Sequence, residues 1–311
     1  MQRQVYLNGK FVPESEAKIS IFDSALMFGD MVFEVTRTFQ HVPFLLHEHL
    51  QRLYLGLKIL EIDCGMTIDE MEHITLETVK RNSDCIPPEI DFQITHNVSR
   101  GPLKFYSSLF PEGVRPTVSI NCWPLTFHLA GMASFYHSGV HCFVARQRNV
   151  PSQYIDPKIK NRSRVHYQVA NLEAARVGPD AFAVLLDEHG YLTEGTGSNI
   201  FIVKSGCLMT SKPHNILRGV SRYYIIDLAR KLDISCLECD IEPYDMAGAD
   251  EAFLTSTPFC MLPITRFEHK PIGDGRVGQV TKKILDTWST EVGVDIVQQA
   301  EYCASQLSNL R

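Results

Sequence analysis

The chain has 311 residues, 44% of them hydrophobic and 21% charged, an ordinary composition for a folded globular protein of one large or two medium domains. Its 36 acidic residues outnumber 30 basic ones for a formal charge of -6 with no offsetting basic block, which argues against a nucleic acid or an anionic membrane as partner. Met1-Gln2-Arg3-Gln4-Val5 carries no apolar signal core, and no stretch reaches the ~20 apolar residues of a membrane span, so a cytoplasmic location is expected. Nine cysteines, an odd number without disulfide-like spacing, suit a reducing compartment. Cys236-Leu237-Glu238-Cys239 is the one close pair. No second pair or matching histidines accompany it, and its alternation reads as a strand, so no metal site is expected.

In chain order, residues 5–12 read as two short strands around Asn8-Gly9, a strong hairpin signal. Residues 23–30 are a loop, and 31–39 a strand that turns at Gln40-His41 into a partner at 43–46. Alternation sends Phe33, Val35 and Arg37 to one face and Val32, Glu34 and Thr36 to the other. Residues 47–60 form an amphipathic helix whose stripe is Leu50, Leu53, Tyr54, Leu57 and Leu60, with Arg52 beside it. Such a boundary arginine ordinarily reaches out to water. A helix over 67–81, strands over 91–99 and 117–120, and an irregular stretch over 123–138 follow. The expected division is an N-terminal domain over 1–122, a linker over 123–138 and a C-terminal domain over 139–311.

The second half is organised around Asp156-Pro157-Lys158-Ile159-Lys160-Asn161 and the helix after it, in which Val165, Val169, Leu172 and Ala175 are spaced to bury one face. Alone, a lysine in such a turn is a solvated surface charge. A buried strand over 181–186 turns at Asp187-Glu188-His189-Gly190. Thr193-Glu194-Gly195-Thr196-Gly197-Ser198-Asn199 then supplies small residues that let backbone approach something closely. A strand over 200–203 and a hairpin at Ser205-Gly206 lead to Leu217-Arg218-Gly219-Val220-Ser221 and a helix over 222–232. The unpaired N–H groups at that helix start favour an anion, unless Ser221 simply caps it. The strand over 252–257 ends in Thr255, Ser256 and Thr257, hydroxyls that also suit phosphate oxygens. A C-terminal helix spans 281–288, and the polar tail is expected to fray.

Lys160, Glu173-Ala174, Leu192-Thr193-Glu194-Gly195, Ser198-Asn199-Ile200-Phe201 and Ile216-Leu217-Arg218-Gly219-Val220-Ser221-Arg222 together resemble the fold-type IV, or class IV, pyridoxal-phosphate aminotransferases. That family includes branched-chain and D-amino-acid aminotransferases, (R)-selective amine transaminases and aminodeoxychorismate lyases. The resemblance runs from about Tyr6 to about Asp286. It implies an α+β, two-domain fold-type IV enzyme, with a smaller N-terminal sandwich-like domain and a larger C-terminal pseudo-barrel domain. It also implies a homodimer whose subunits share active sites, with residues 100–106 as a candidate donor loop.

Pyridoxal 5'-phosphate needs an amine for its aldehyde, a carboxylate at its pyridine nitrogen, and cationic or N–H groups at its phosphate. The resemblance assigns these to Lys160, to Glu194, and to Arg52, Val220, Ser221, Ser256 and Thr257. Arginine's planar fork suits phosphate oxygens better than lysine does. Around the substrate it implies Phe28, Phe33, Val35, Arg37, Arg100, Arg164 and Pro258. Phe33 matches branched-chain enzymes, while Val35 looks like the D-amino-acid and (R)-amine groups. Pro258 stands where branched-chain enzymes offer a backbone N–H to the substrate carboxylate, and proline has none. The Arg-x-His pair of D-amino-acid enzymes is not found after Arg100-Gly101. Arg164 is similar to the lyase group, and Arg162 and Arg164 have the charge to bind a dicarboxylate or an aromatic acid. The expected reaction is amino transfer between a branched-chain-like amino acid and a 2-oxo acid. The alternatives are pyruvate elimination of the lyase type, D-amino-acid or (R)-amine transamination, and a non-catalytic cofactor-binding protein on the same fold.

Overall fold

Asn8 and Gly9, both at positive φ (49° and 89°), turn the chain between β1 (Gln4–Leu7) and β2 (Lys10–Pro13), as the Asn-Gly pair predicts. The computed structural model describes residues 2–308, and the chain divides into two units. The first comprises Met1–Leu125 with Ile159–Ser163, the second Thr126–Lys158 with Arg164–Arg311. This differs from the expected boundaries in one respect that matters for the site. The short segment carrying Lys160 belongs to the first unit, although the chain on either side of it belongs to the second.

In the first unit, the expected loop at 23–30 contains a one-turn helix, α1 (Ser24–Phe28), because the Asp23 carboxylate accepts from Ala25 N–H and caps it. Then come β3 (Met31–Phe39), β4 (Val42–Pro43), α2 (Leu46–Ile59), α3 (Ile68–Asn82), β5 (Phe92–Ser99) and β6 (Thr117–Pro124). The strands form one antiparallel sheet in the order β2-β1-β6-β5-β3-β4. The expected partner strand stops at Pro43, since Leu46 already belongs to α2. α2 buries Leu50, Leu53 and Leu57 in a core with Val32, Ile94, Val98, Val118 and Ile120. Gly56 lets it come that close, for a Cβ there would lie 2.9 Å from the Val32 side chain. α3 starts at a capping box: Thr67 Oγ1 accepts from Glu70 N–H, and the Glu70 carboxylate accepts from Thr67 N–H.

The second unit contains α4 (Thr126–Met132), α5 (Phe135–Ser138), β7 (Val140–Val144), α6 (Val165–Val177), β8 (Ala181–Leu186), β9 (Leu192–Gly195), β10 (Asn199–Lys204) and β11 (Cys207–Ser211). It continues through α7 (Val220–Lys231), β12 (Cys236–Cys239), α8 (Pro243–Ala247), β13 (Glu251–Ser256), β14 (Cys260–Phe267), β15 (Lys270–Pro271), α9 (Gln279–Val292) and α10 (Ile296–Ser308). The sheet runs β12-β11-β10-β13-β14-β7-β8-β9, and β9 pairs again with β10 through Asn199 and Glu194. That last pairing closes β10, β13, β14, β7, β8 and β9 into a ring, the pseudo-barrel the resemblance implies.

Three sequence-based expectations change here. The stretch 123–138 is not an irregular linker: it holds the end of β6 and two helices, anchored by fully buried Leu129 and buried Tyr136. The α6 face spaced for burial is turned outward, with Val165 77%, Leu172 51% and Val169 47% exposed and Ala175 exposed as well. Tyr167, Ala170 and Ala174 face inward instead, because small alanines let α6 settle onto Ala183 of β8 and Phe143 and Ala145. Finally, the C-terminal segment does not fray within the described residues. α9 extends to Val292, and α10 buries Ile296, Ala300 and Cys303 at helical spacing and packs along α4. Residues 309–311 lie outside the described part.

His96 on β5 is fully buried opposite Glu34. Thr75 Oγ1 donates its only hydrogen to Met71 carbonyl oxygen, so at 2.8 Å it accepts from His96 Nε2–H. Nδ1 therefore carries no proton, and among the described residues it has no partner. Burial pushes the imidazole down to about 4. A folded-state value below the unfolded one means the unfolded chain binds the extra proton, so this contribution is full above the unfolded histidine range. It is lost as pH falls from about 6.5 through about 4. Chemical unfolding of the wild type across pH 4–7 should show that decline, and His96→Gln should flatten it.

Candidate active site

In the first unit, Ile159–Ser163 lies against β3. Phe33 N–H donates to the Lys160 carbonyl at 2.9 Å, and Val32 bridges Asn161. This fixes the backbone of Lys160 beside Phe33, and its Nζ lies 5.0 Å from the centre of the Phe33 ring. Arg162, two residues on, stacks its guanidinium 3.7 Å over the same ring and donates from Nη2 to Asn97 Oδ1 at 3.3 Å. Asn97 stands directly opposite Phe33 in the β3–β5 register.

The other face of β3 carries a buried charge network. Glu34 is 0% exposed, and both its oxygens are gripped by the Arg52 fork, Nε at 2.7 Å and Nη2 at 2.8 Å. His49 Nδ1, one turn earlier on α2, lies 2.8 Å from Glu34 Oε2. Burial alone would push the Glu34 carboxyl up, but Arg52 and His49 overcome it and hold the group well below the usual carboxylate range. Burial pushes the His49 imidazole down, so it is neutral and its Nδ1–H donates to the carboxylate. Arg52 therefore does not reach out to water: its side chain is 11% exposed, and its orientation is set from below by Glu34.

The remaining candidates of this unit divide. Phe28 is exposed and Val35 half-buried, and both offer apolar surface. Arg37 is 1% exposed, with its guanidinium over Phe39, Nε donating to the Thr38 carbonyl and Nη2 3.8 Å from Asp91. In this closed position Arg37 lies at the edge of the sheet, beside Asp91. Arg100 is paired with Asp30 and donates to the Leu60 and Glu61 carbonyls, so it braces α1 and α2.

In the second unit, closure of β9 on β10 places Glu194 at the junction, 4% exposed. Tyr167 Oη donates to Oε1 at 2.7 Å, Asn199 Nδ2 to Oε2 at 3.2 Å, and Leu217 N–H to both oxygens at 3.2 and 3.1 Å. Burial, with Glu194 beside it, pushes the Tyr167 phenol up, so it stays protonated and donates. Two residues past Leu217, Gly219 is the N-cap of α7 and makes no side-chain cap bond. Ser221 lies inside the helix rather than capping it, and both Val220 and Ser221 are buried. Ser256 Oγ donates to the Gly197 carbonyl at 2.8 Å, while Thr257 and Pro258 follow in the half-buried turn after β13. Arg164 holds its guanidinium 5.3 Å over the Tyr167 ring. Lys158, the other lysine of the motif, donates to the His214 carbonyl and pairs with Asp156.

The first unit thus sets an amine near an aromatic ring, and the second, by itself, holds a buried carboxylate and a helix start without a side-chain cap, a start whose free N–H groups suit an anion. The comparisons with known proteins specify the class. The family model for amino-transferase class IV matches residues 31–267, and the chain belongs to that family. A Methanocaldococcus jannaschii protein, provisionally named a branched-chain-amino-acid aminotransferase, is 34% identical over 301 residues, covering 95% of this chain and all of the relative. The branched-chain aminotransferase structure from Thermoproteus uzoniensis with norvaline is 30% identical, covers 94% of this chain and 95% of its own, and superposes with a TM-score of 0.81. The T.th. branched-chain amino acid aminotransferase complexed with N-(5'-phosphopyridoxyl)-L-glutamate is 26% identical, with 94% of each chain covered and a TM-score of 0.82.

This protein is thus a class IV aminotransferase, and its cofactor is pyridoxal phosphate. The residues present fit that group. Glu194 is a buried carboxylate oriented by Tyr167, Asn199 and the Leu217 N–H, and the α7 amides meet no competing side-chain cap. Sequence reasoning missed Glu34, His49 and Tyr167. An acidic residue on the buried face of β3 opposite an arginine at helical spacing from a histidine was the available signal for the first two. Tyr167 was hidden by choosing the wrong face of α6.

Removing the Glu34 carboxylate leaves the Arg52 guanidinium buried without its counter-charge. Glu34→Ala should lower stability by about 3–5 kcal/mol in a denaturant titration.

Proposed function

We propose that this enzyme exchanges an amino group between a branched-chain-type amino acid and a 2-oxo acid. Lys160 is the covalent anchor and proton carrier, and Glu194 is the acid group at the pyridine nitrogen. Arg52, the Val220 and Ser221 amides, and the Ser256 and Thr257 hydroxyls hold the phosphate. The observation that carries the reading is the Lys160 amine, held by its own backbone bond to β3 and set over the apolar Phe33 ring.

Bound pyridoxal phosphate supplies an electron-withdrawing ring that accepts the electrons released when the substrate's Cα–H bond breaks. Lys160 Nζ takes that proton, acting as the general base. Glu194 keeps the pyridine nitrogen protonated, and Tyr167, Asn199 and Leu217 N–H keep Glu194 in one orientation. Arg52 arrives at the phosphate with its fork already oriented by Glu34, so little ordering entropy remains to be lost on binding. Phe33, Val35 and Phe28 offer apolar contact to an aliphatic side chain. The M. jannaschii, T. uzoniensis and T.th. relatives, all named for branched-chain amino acids, support the same substrate class.

The assembly is a homodimer. Ile21, Leu26, Phe28, Phe105 and Leu109 all expose apolar side chains of the first unit that a partner subunit would cover. The compartment is a reducing one, the cytoplasm, in keeping with nine free cysteines. Among the described residues, no helix is long and apolar enough to cross a membrane.

Lys160→Ala should abolish transamination while leaving the unfolding transition of the apoprotein in place, and retained turnover would remove the lysine assignment. L-Leucine or L-valine should discharge the cofactor's visible absorbance and 2-oxoglutarate should restore it. Release of pyruvate without any oxo-acid acceptor would point to elimination instead. Sedimentation should give twice the chain mass.

A further inference from the structure

We infer that Arg222 is a positioning residue for the cofactor phosphate: from the third position of α7 it fixes the helix start whose amides take that group, and it adds a buried positive charge to the same turn. The inference rests on the reading that places the phosphate at the Val220 and Ser221 N–H groups.

Three observations in the second unit carry it. The first is a clamp. Arg222 is 0% exposed, and its guanidinium leaves α7 for the neighbouring strands. Nη2 donates to the Ser211 carbonyl at the end of β11 at 2.8 Å and to Glu238 Oε1 on β12 at 2.6 Å. Thr210 Oγ1 gives its hydrogen to the Ile200 carbonyl, so at 3.3 Å it accepts from Arg222 Nε. One side chain thus ties the first turn of α7 to β11 and β12. The same start is held by β10: Asn199 Nδ2 donates to the Leu217 carbonyl, and a Cβ on Gly219 would collide with Asn199 Oδ1. Between these two holds the free N–H groups of the turn have a fixed direction.

The second is the sign of the charge. The N-terminal turn of a helix is already electropositive, so a cation there opposes the helix dipole. Glu238, the carboxylate that pairs with it, is 41% exposed on an edge strand, while the guanidinium is wholly enclosed. Water screens the acid more than the base, and the interior is left positive. Nη1 is buried and has no hydrogen-bond partner among the described residues. For the fold alone this arrangement is unfavourable, and a methionine would fill the space without burying a charge. An anion on the amides of the same turn converts the repulsion into attraction.

The third is continuity with the other end of the site. Ser211, whose carbonyl Arg222 grips, donates from Oγ to the Leu192 carbonyl of β9 at 2.7 Å. That strand carries Glu194, and Glu194 in turn accepts from Leu217 N–H, two residues before the α7 N-cap. The helix start and the carboxylate proposed for the pyridine nitrogen are therefore held on one frame, which suits a ligand with an anionic group at one end and a basic ring nitrogen at the other. Arg222 is not a catalytic residue. Its hydrogen bonds go to β11 and β12, and its effect on the phosphate passes through the helix start and through its field.

The test titrates the full-length chain, freed of cofactor, with pyridoxal 5'-phosphate and with pyridoxal, following the visible absorbance of each. The quantity is the ratio of the two dissociation constants, which isolates the phosphate. Arg222→Met should weaken pyridoxal 5'-phosphate about 10- to 30-fold and leave pyridoxal within about twofold. Arg222→Lys, which keeps the charge and loses the fork, should lose less. Glu238→Gln keeps an acceptor for Nη2 and removes the neutralising charge, so it should tighten pyridoxal 5'-phosphate relative to pyridoxal. Should Arg222→Met fail to fold, the Lys and Gln variants report the same ratio. Equal losses for both ligands are the mark of a merely structural role and overturn the assignment, as does an unchanged ratio or a Glu238→Gln variant that favours pyridoxal. A holoenzyme crystal structure separates the two levels: phosphate away from the Val220 and Ser221 N–H groups removes the reading beneath the inference, whereas phosphate on those amides with an unchanged ratio removes Arg222 alone.

Discussion

The backbone hydrogen bond from Phe33 N–H to the Lys160 carbonyl is the constraint from which the chemistry of the first unit follows. Five residues return to β3 between two stretches of chain that belong to the other unit. Without that return, Lys160 would be one more lysine in a polar turn. With it, the amine has a defined origin, an aromatic floor and a cationic neighbour two residues away. Ile159 anchors the segment by burying itself in the core beneath α2.

Both units bury a carboxylate, and the two are treated differently. Glu34 has a full cation, Arg52, and a neutral imidazole, which keep it ionised in a place with no exposed surface. Glu194 is gripped by a phenol, an amide side chain and a backbone N–H. A carboxylate paired in full with an arginine has its charge satisfied, and such a pair is suited to holding the arginine still. The Tyr167, Asn199 and Leu217 donors fix the orientation of the Glu194 carboxylate, and the role proposed for it sets that carboxylate against a protonated pyridine. The same side-chain chemistry thus supports positioning in one unit and, in the role proposed for Glu194, electrostatic tuning of a cofactor in the other.

The arginines separate along similar lines. Arg37 and Arg100 lie against Asp91 and Asp30 and against backbone carbonyls, at the sheet edge and the α1–α2 junction. Arg162 and Arg164 set their guanidinium groups over aromatic rings, those of Phe33 and Tyr167. An arginine's role is therefore read from what it touches, and no spacing rule distinguishes the two kinds in advance.

What the sequence determined by itself was local or carried by ordered motifs. The Asn8-Gly9 hairpin, the alternation of β3, the leucine stripe of α2, the helix beginning at Thr67 and the order of Lys160, Glu194 and the Gly219-Val220-Ser221 turn were all legible. Each depends on residues a few positions apart, with a backbone period of two or 3.6. Tertiary structure alone decided which face of α6 was buried, because Ala170 and Ala174 owe their burial to a close approach of Ala183 that no helical pattern records. It decided that Arg52 sits on Glu34, that Arg37 is enclosed, and that β9 closes on β10 to present Glu194 to Tyr167. It also decided that the last helix is packed along α4 instead of frayed. These are contacts between residues far apart in the chain, set by how closely two surfaces can approach, and a linear pattern carries the surfaces but not the approach.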